Sequence, residues 1–212
     1  MNLLARKLGM LRLFDDQGRA FGVTVVEAGP CVVTQVKTKA ADGYDAVQVG
    51  FLDKKERVTT KPMLGHFKKA GVAPKRHLRE SRVADPGTFS AGQELKLGDY
   101  FKAGDFVDVQ GVSKGRGFAG TIKRHHMKRS PESHGGRSQR QHGSVGQSAS
   151  ISHVQKGMRM AGHMGARTVT VQNVRVFRVR PDENQLLLEG AVPGPTNGVV
   201  SIRQAVKKKP SK

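Results

Sequence analysis

A glycine-rich run, Gly115-Arg116-Gly117-Phe118-Ala119-Gly120, has the G-x-G-x-x-G spacing with which a strand-to-helix turn can cradle a dinucleotide pyrophosphate. That chemistry also needs a βαβ unit and an acidic residue about 20 positions on to hold the ribose. The next acid here is Glu132, and no second parallel-strand pattern follows, so the run is not read as a dinucleotide site. No G-x-x-x-x-G-K-[ST] phosphate loop occurs either. Six of the eight histidines crowd into the same part of the chain: His125, His126, His134, His142, His153 and His163. Structural zinc sites generally mix histidine with cysteine at short spacing, and this segment has no cysteine. Histidine in basic, Gly/Ser-rich surroundings is better suited to stacking on bases or hydrogen-bonding phosphate. Serines and acids are present, but no G-x-S-x-G elbow presents a nucleophile. The residues therefore imply no catalytic group, no metal, no cofactor and no small-molecule substrate.

What remains is the charge. Between Ser113 and Thr168 the chain carries eleven Lys and Arg and a single acid, Glu132, which makes a net +10. The cations come two or three at a time: Lys114 and Arg116, Lys123 and Arg124, Lys128 and Arg129, Arg137 and Arg140, Lys156 and Arg159, then Arg167. Ten glycines separate them, and bare backbone can approach a phosphate chain closely. With Phe118 as its one aromatic, the segment cannot bury enough apolar surface to fold alone. It is internal, whereas dispensable charged tails are usually terminal. These eleven cations, with His125 and, near the N-terminus, Lys7, form the candidate RNA-binding set.

The whole composition agrees. The chain has 212 residues, 37 Lys and Arg against 17 Asp and Glu, and a net charge of +20. Such an excess opposes compaction unless a polyanion neutralises it. No apolar run approaches the roughly 18 residues of a membrane span, and Arg6 and Lys7 interrupt any leader-like start. A membrane partner is not expected. The one cysteine, Cys31, lies in Pro30-Cys31-Val32-Val33 and reads as a buried small apolar residue in a reducing, cytoplasmic compartment. Helix-turn-helix patterning, C₂H₂ spacing, basic-zipper heptads and the aromatic RNP signature are all absent. Recognition of a folded RNA by backbone and shape fits best. A nucleic-acid enzyme would need metal-binding carboxylates or an acid–base pair, and only Glu132 is acidic between Val109 and Pro181.

Strand patterns flank the basic segment and must position it. Met10–Phe14, Phe21–Glu27, Cys31–Lys37 and Tyr44–Phe51 read as strands, with turns at Asp15–Gly18, Ala28-Gly29-Pro30 and Ala41-Asp42-Gly43. Pro62–Gly71 reads as a short helix, with Pro62 at its start and Gly71 as its stop. Ser90–Phe101 is too irregular to assign. Phe106–Val112 is a strand. After the basic segment come Val169–Val179, with one phase break among its valines, then Gln185–Val192 and Val199–Arg203. Lys207–Pro210 reads as a solvated basic tail. The expected organisation is a mainly β domain with α+β additions. It comprises residues 1–112 and 169–212, an α+β insertion at about 53–104, and a long basic extension at 113–168.

Several segments are also recognisable. Val109-Gln110-Gly111-Val112-Ser113-Lys114-Gly115-Arg116-Gly117-Phe118-Ala119-Gly120, followed by Lys123-Arg124, closely resembles the signature of the universal large-subunit ribosomal protein family numbered three. So do Gly65–Gly71, Gly143–Gly146, Lys156–Gly165, Val169–Asn173 and Gly190–Gly194, in family order from Lys7-Leu8-Gly9-Met10 to about residue 203. The resemblance implies a six-stranded, translation-protein-type β-barrel with a long loop entering the rRNA core toward the peptidyl-transferase region. It implies a structural, early-binding assembly protein that docks near the 3′ end of the large-subunit rRNA, beside the large-subunit proteins numbered fourteen and nineteen. This chain departs from the family pattern in two places. His125 stands where an aromatic is common, and Ser150-Ile151-Ser152-His153-Val154 stands where a Thr-Pro-Gly-basic-Val run is usual. Some bacterial members methylate a glutamine in the loop, and the aligned position here is Ala149, so no modification is carried over.

Overall fold

The computed structural model describes residues 1–208. Of the expected basic tail, Lys209 and Pro210 lie outside the described residues. In chain order the first half holds β1 (Asn2–Phe14), β2 (Ala20–Glu27), β3 (Cys31–Lys37), α1 (Lys39–Asp42), β4 (Ala46–Asp53), α2 (Lys61–Ala70), β5 (Lys75–Arg82), β6 (Glu94–Leu95) and α3 (Leu97–Tyr100). The second half holds β7 (Phe106–Val112), β8 (Phe118–Ala119), α4 (Thr121–His125), β9 (Gly162–His163), β10 (Thr168–Arg180), β11 (Gln185–Glu189) and β12 (Val199–Gln204). By internal contacts the chain forms two units. One is Met1–Ser113 with the described residues from Thr168 onward, and the other is Lys114–Arg167.

In the first unit, six strands close into a ring in the order β1-β12-β7-β10-β11-β2, every pair antiparallel. A closed ring leaves no free edge for another chain to pair with. Its interior follows from period two and register. Leu3 opposes Ile202, Ile202 opposes Val109, and Val26 opposes Leu186, and all five are buried. Gly111 faces the same interior beside Val200. A Cβ there would sit 2.9 Å from Val200 Cγ1 and 3.2 Å from Pro193 Cγ, so the position has no room for a side chain. The break in the valine spacing of β10 is a register shift between Val171 and Val174, where Asn173 takes a positive φ of 57°.

A four-stranded sheet, ordered β5-β4-β3-β6, completes this unit. Val33, Val47, Val49 and Phe51 join the same buried cluster as Leu4 of β1. Cys31 is fully buried, and its Sγ donates to the Leu4 carbonyl at 3.3 Å. Burial pushes the thiol up to about 11, so it stays protonated and unreactive at neutral pH.

Several elements differ from the pattern-based expectation. β1 starts at Asn2 rather than Met10, because Leu3 and Leu4 are buried on opposite faces and the run does not alternate. β5 is a strand that Lys75–Arg82 does not announce, since Leu78 is its only large apolar residue. It lies at a sheet edge, where charged side chains discourage pairing with other chains. Within Ser90–Phe101, the short β6 pairs with β3 and α3 supplies the buried Leu97. α2 begins one residue before Pro62, and Gly71 ends it with a left-handed φ of 68°.

Candidate nucleic-acid interface

Residues Lys114–Arg167 form a unit with little interior. Among the described residues of this unit, only Ala119 and Thr121 are buried. Its base is nonetheless ordered by backbone pairing. Phe118 pairs with His163 and Ala119 with Gly162. Arg116 N–H donates to the Met164 carbonyl at 2.9 Å, and Met164 N–H to the Gly117 carbonyl at 2.9 Å. Gly165, at a φ of 75°, passes so close to the Lys114 carbonyl that a Cβ there would collide with it. This ladder and the single turn of α4 were not legible in the composition, which suggested no local structure at all. Two-residue strands carry too short a period to be read from sequence.

The cations divide into braces and exposed groups. Arg124 Nη1 donates to the Met160 carbonyl at 2.8 Å, and His125 Nε2 lies 3.0 Å from the same oxygen. The Arg124 guanidinium also lies over Gly162, where a Cβ would come within 2.6 Å of Nη1. Arg124 and His125 are half-buried and hold the two arms of the base together. By contrast Lys114, Arg116, Lys123, Lys128, Arg129, Arg137, Arg140, Lys156, Arg159 and Arg167 are exposed. Arg129 pairs with Glu132, which occupies the only acid in the unit. The positive field of the remaining cations therefore has no internal counter-charge, an arrangement suited to a polyanion.

The structure places Lys7 apart from these exposed cations. Its side chain is only 9% exposed, and Nζ donates to the carbonyls of Val192 at 3.0 Å and Gly194 at 3.2 Å. The ammonium ties β1 to the loop after β11 and does not face solvent, as a phosphate contact would require. Composition alone does not separate a buried tethering lysine from a surface one.

Phe118 stands outside the set read from charge, although it is the unit's only aromatic. It is 81% exposed on β8, while its neighbour Ala119 points inward. An open aromatic face among cations can stack on a base. The signal was the isolation of one phenylalanine in 56 basic, Gly/Ser-rich residues. The histidines stay dispersed, and among the described residues no three His, Cys, Asp or Glu side chains gather where a metal could bind. The glycine run opens onto a two-residue strand and a five-residue helix, without the βαβ frame of a dinucleotide site.

Known proteins are similar to this chain nearly end to end. A large ribosomal subunit protein uL3 of Brachyspira pilosicoli is 48% identical over 212 residues, covering 100% of this chain and 97% of that protein. The uL3 proteins of Acidothermus cellulolyticus and Pelotomaculum thermopropionicum are each 53% identical. The first match covers 98% of this chain and 93% of the relative, and the second 97% of both. The chain belongs to the ribosomal protein L3 family. The family model, described as Ribosomal protein L3, matches residues 87–185, which include all of Lys114–Arg167 together with the whole of β7 and β10 and the first residue of β11. This is a structural family rather than an enzyme family, in keeping with a basic unit that holds one carboxylate, already paired.

Proposed function

We propose that this protein is a structural, rRNA-binding constituent of the large ribosomal subunit in the cytoplasm. On this reading residues 1–112 and 169–212 form a globular domain on a translation-protein-type barrel, with an α+β insertion at about 53–104. Residues 113–168 form an extension that enters folded rRNA. The observation that carries the proposal is the exposure of ten of the eleven cations in 113–168, against one acid already engaged by Arg129. Lys114, Arg116, Lys123, Lys128, Arg137, Arg140, Lys156 and Arg159 would neutralise phosphates, joined by Arg129 and Arg167. Arg124 and His125 would present the base of the extension, and Phe118 would stack. Family resemblance supports the finer placement: early binding near the 3′ end of the large-subunit rRNA, an extension tip directed toward the peptidyl-transferase region, and proteins fourteen and nineteen as neighbours.

A DNA-compacting protein would be built from the same charges, and a competition experiment separates the two. Filter binding with large-subunit rRNA fragments against duplex DNA of equal length should favour the folded RNA. Equal or stronger binding to the duplex would refute the proposal.

A further inference from the structure

The first unit carries a second cationic feature that the extension does not account for. β5 packs five basic side chains into eight residues: Lys75, Arg76, His77, Arg79 and Arg82. Two of them have structural work within the fold. Lys75 Nζ bonds Asp53 Oδ1 at 2.6 Å, and the Arg82 guanidinium lies 5.7 Å from the centre of the Tyr44 ring. Arg76 and Arg79 are exposed and engage no acid among the described residues.

Both arginines line a groove of about 450 Å³ whose floor is the outer face of the six-stranded ring. The register explains the place of Arg79. His77, Arg79 and Ser81 oppose Phe51, Val49 and Val47, so they share the face that β4 turns toward the ring. At Ser81 the two layers touch, with Asn2 N–H donating to Ser81 Oγ at 3.0 Å. Past that contact the layers part, and Arg79 and His77 look across at Ser201 and Gln110, cross-strand neighbours on β12 and β7. Gln110 Nε2 donates to Thr170 Oγ1 at 3.3 Å, which extends the polar floor.

The acids nearby are already engaged. Glu80 binds Lys37 at 2.8 Å and accepts from the Tyr44 hydroxyl at 2.7 Å. Asp108 accepts from the Asn173 N–H at 3.1 Å and from Arg203. The net field in the groove is positive. Burial first, then Arg76 and Arg79, hold His77 below the ordinary histidine range.

We infer that this groove is a separate RNA site that seats a single sugar–phosphate strand, with Arg76 and Arg79 on phosphates and His77, Gln110 and Ser201 on ribose hydroxyls. A neutral imidazole, an amide and a hydroxyl can each donate or accept, which suits a 2′-hydroxyl. The groove has no aromatic platform, so it reads backbone rather than base. The inference rests on the proposed rRNA-binding role and places a contact on the globular unit.

The test uses the full chain and large-subunit rRNA fragments. Arg76→Gln with Arg79→Gln should lower the salt slope of binding by roughly 1.5, at about 0.7–0.9 per phosphate, with an unchanged melting temperature. Ultraviolet cross-links from RNA to peptide 75–82 should disappear in that variant. If the double variant melts early, Ser201→Asp places a carboxylate on the floor instead and should also weaken binding. An unchanged slope in the folded variants, or wild-type cross-links confined to 114–167, would overturn the inference while leaving the rRNA role standing. A wild-type affinity with no salt dependence would overturn both. Loss of polyglutamate binding in the double variant, with RNA binding intact, would mean the groove takes an acidic protein segment.

Discussion

The number of exposed, acid-free cations in Lys114–Arg167 sets a magnitude for RNA binding. Lys114, Arg116, Lys123, Lys128, Arg137, Arg140, Lys156 and Arg159 are exposed and carry no ion pair among the described residues. If each neutralises one phosphate, at about 0.7–0.9 per contact, log affinity should fall against log salt with a slope of roughly −6 to −7. Between about 50 and 200 mM salt that is a loss of roughly 10³–10⁴-fold. Changing Lys123, Lys128, Arg137, Arg140 and Lys156 together to Gln should reduce the steepness by roughly 4, because five counterion-releasing contacts are removed. The substitutions lie away from the buried core, so the melting temperature should hardly move. Filter binding or fluorescence anisotropy across a salt series, with an rRNA fragment, reads both slopes. A wild-type slope shallower than about −3, or a quintuple variant with the wild-type slope, would refute the electrostatic account.

Single substitutions separate the roles the geometry assigns. Lys123→Ala should weaken RNA binding and change stability by less than about 0.5 kcal/mol, whereas Arg124→Ala should also speed amide exchange at residues 116–119 and 160–164, because it frees the Met160 carbonyl. Equal exchange in the two variants would show that Arg124 is no brace. Lys7→Met should cost roughly 1.5–3 kcal/mol in denaturant unfolding, the scale of hydrogen bonds from a charged group, and leave the salt slope unchanged; a reduced slope with full stability would return Lys7 to the RNA-binding set. In the free protein, amides at 127–159 should exchange quickly while the ring strands stay protected, since the tip buries too little to offset about 1–2 kcal/mol of backbone entropy per residue. Strong protection throughout 127–159 without RNA would mean the segment folds by itself.

Strands in which one face is apolar were legible in the sequence. Cys31–Lys37 and Phe106–Val112 have the boundaries read from period two alone, and the phase break among the valines of β10 is a register shift in the ring. What escaped has a common cause. Leu3 and Leu4 face two different buried layers, so alternation vanishes where the strand is most enclosed. β5 is recognisable only through its partner β4, because its own residues answer to an edge and to the groove. Closure of the ring depends on which strand follows which in space, and β12 between β1 and β7 has no local signature. In the candidate interface, residue type located the cations, but the difference between Lys123, which points outward, and Arg124, which grips the Met160 carbonyl, is a matter of helix phase within a five-residue turn. The same holds for the buried Lys7 and the exposed Phe118: charge and aromaticity are visible in a sequence, whereas direction is not.

Membership of the family predicts that the protein works as part of the large ribosomal subunit. Sedimenting a gently prepared lysate through a sucrose gradient at low salt, and following the protein across the fractions, tests it most directly. It should co-migrate with large subunits and with whole ribosomes, and leave them only when salt is raised enough to strip tightly bound proteins. Protein found at the top of the gradient, while large subunits of full size sediment without it, would contradict the account.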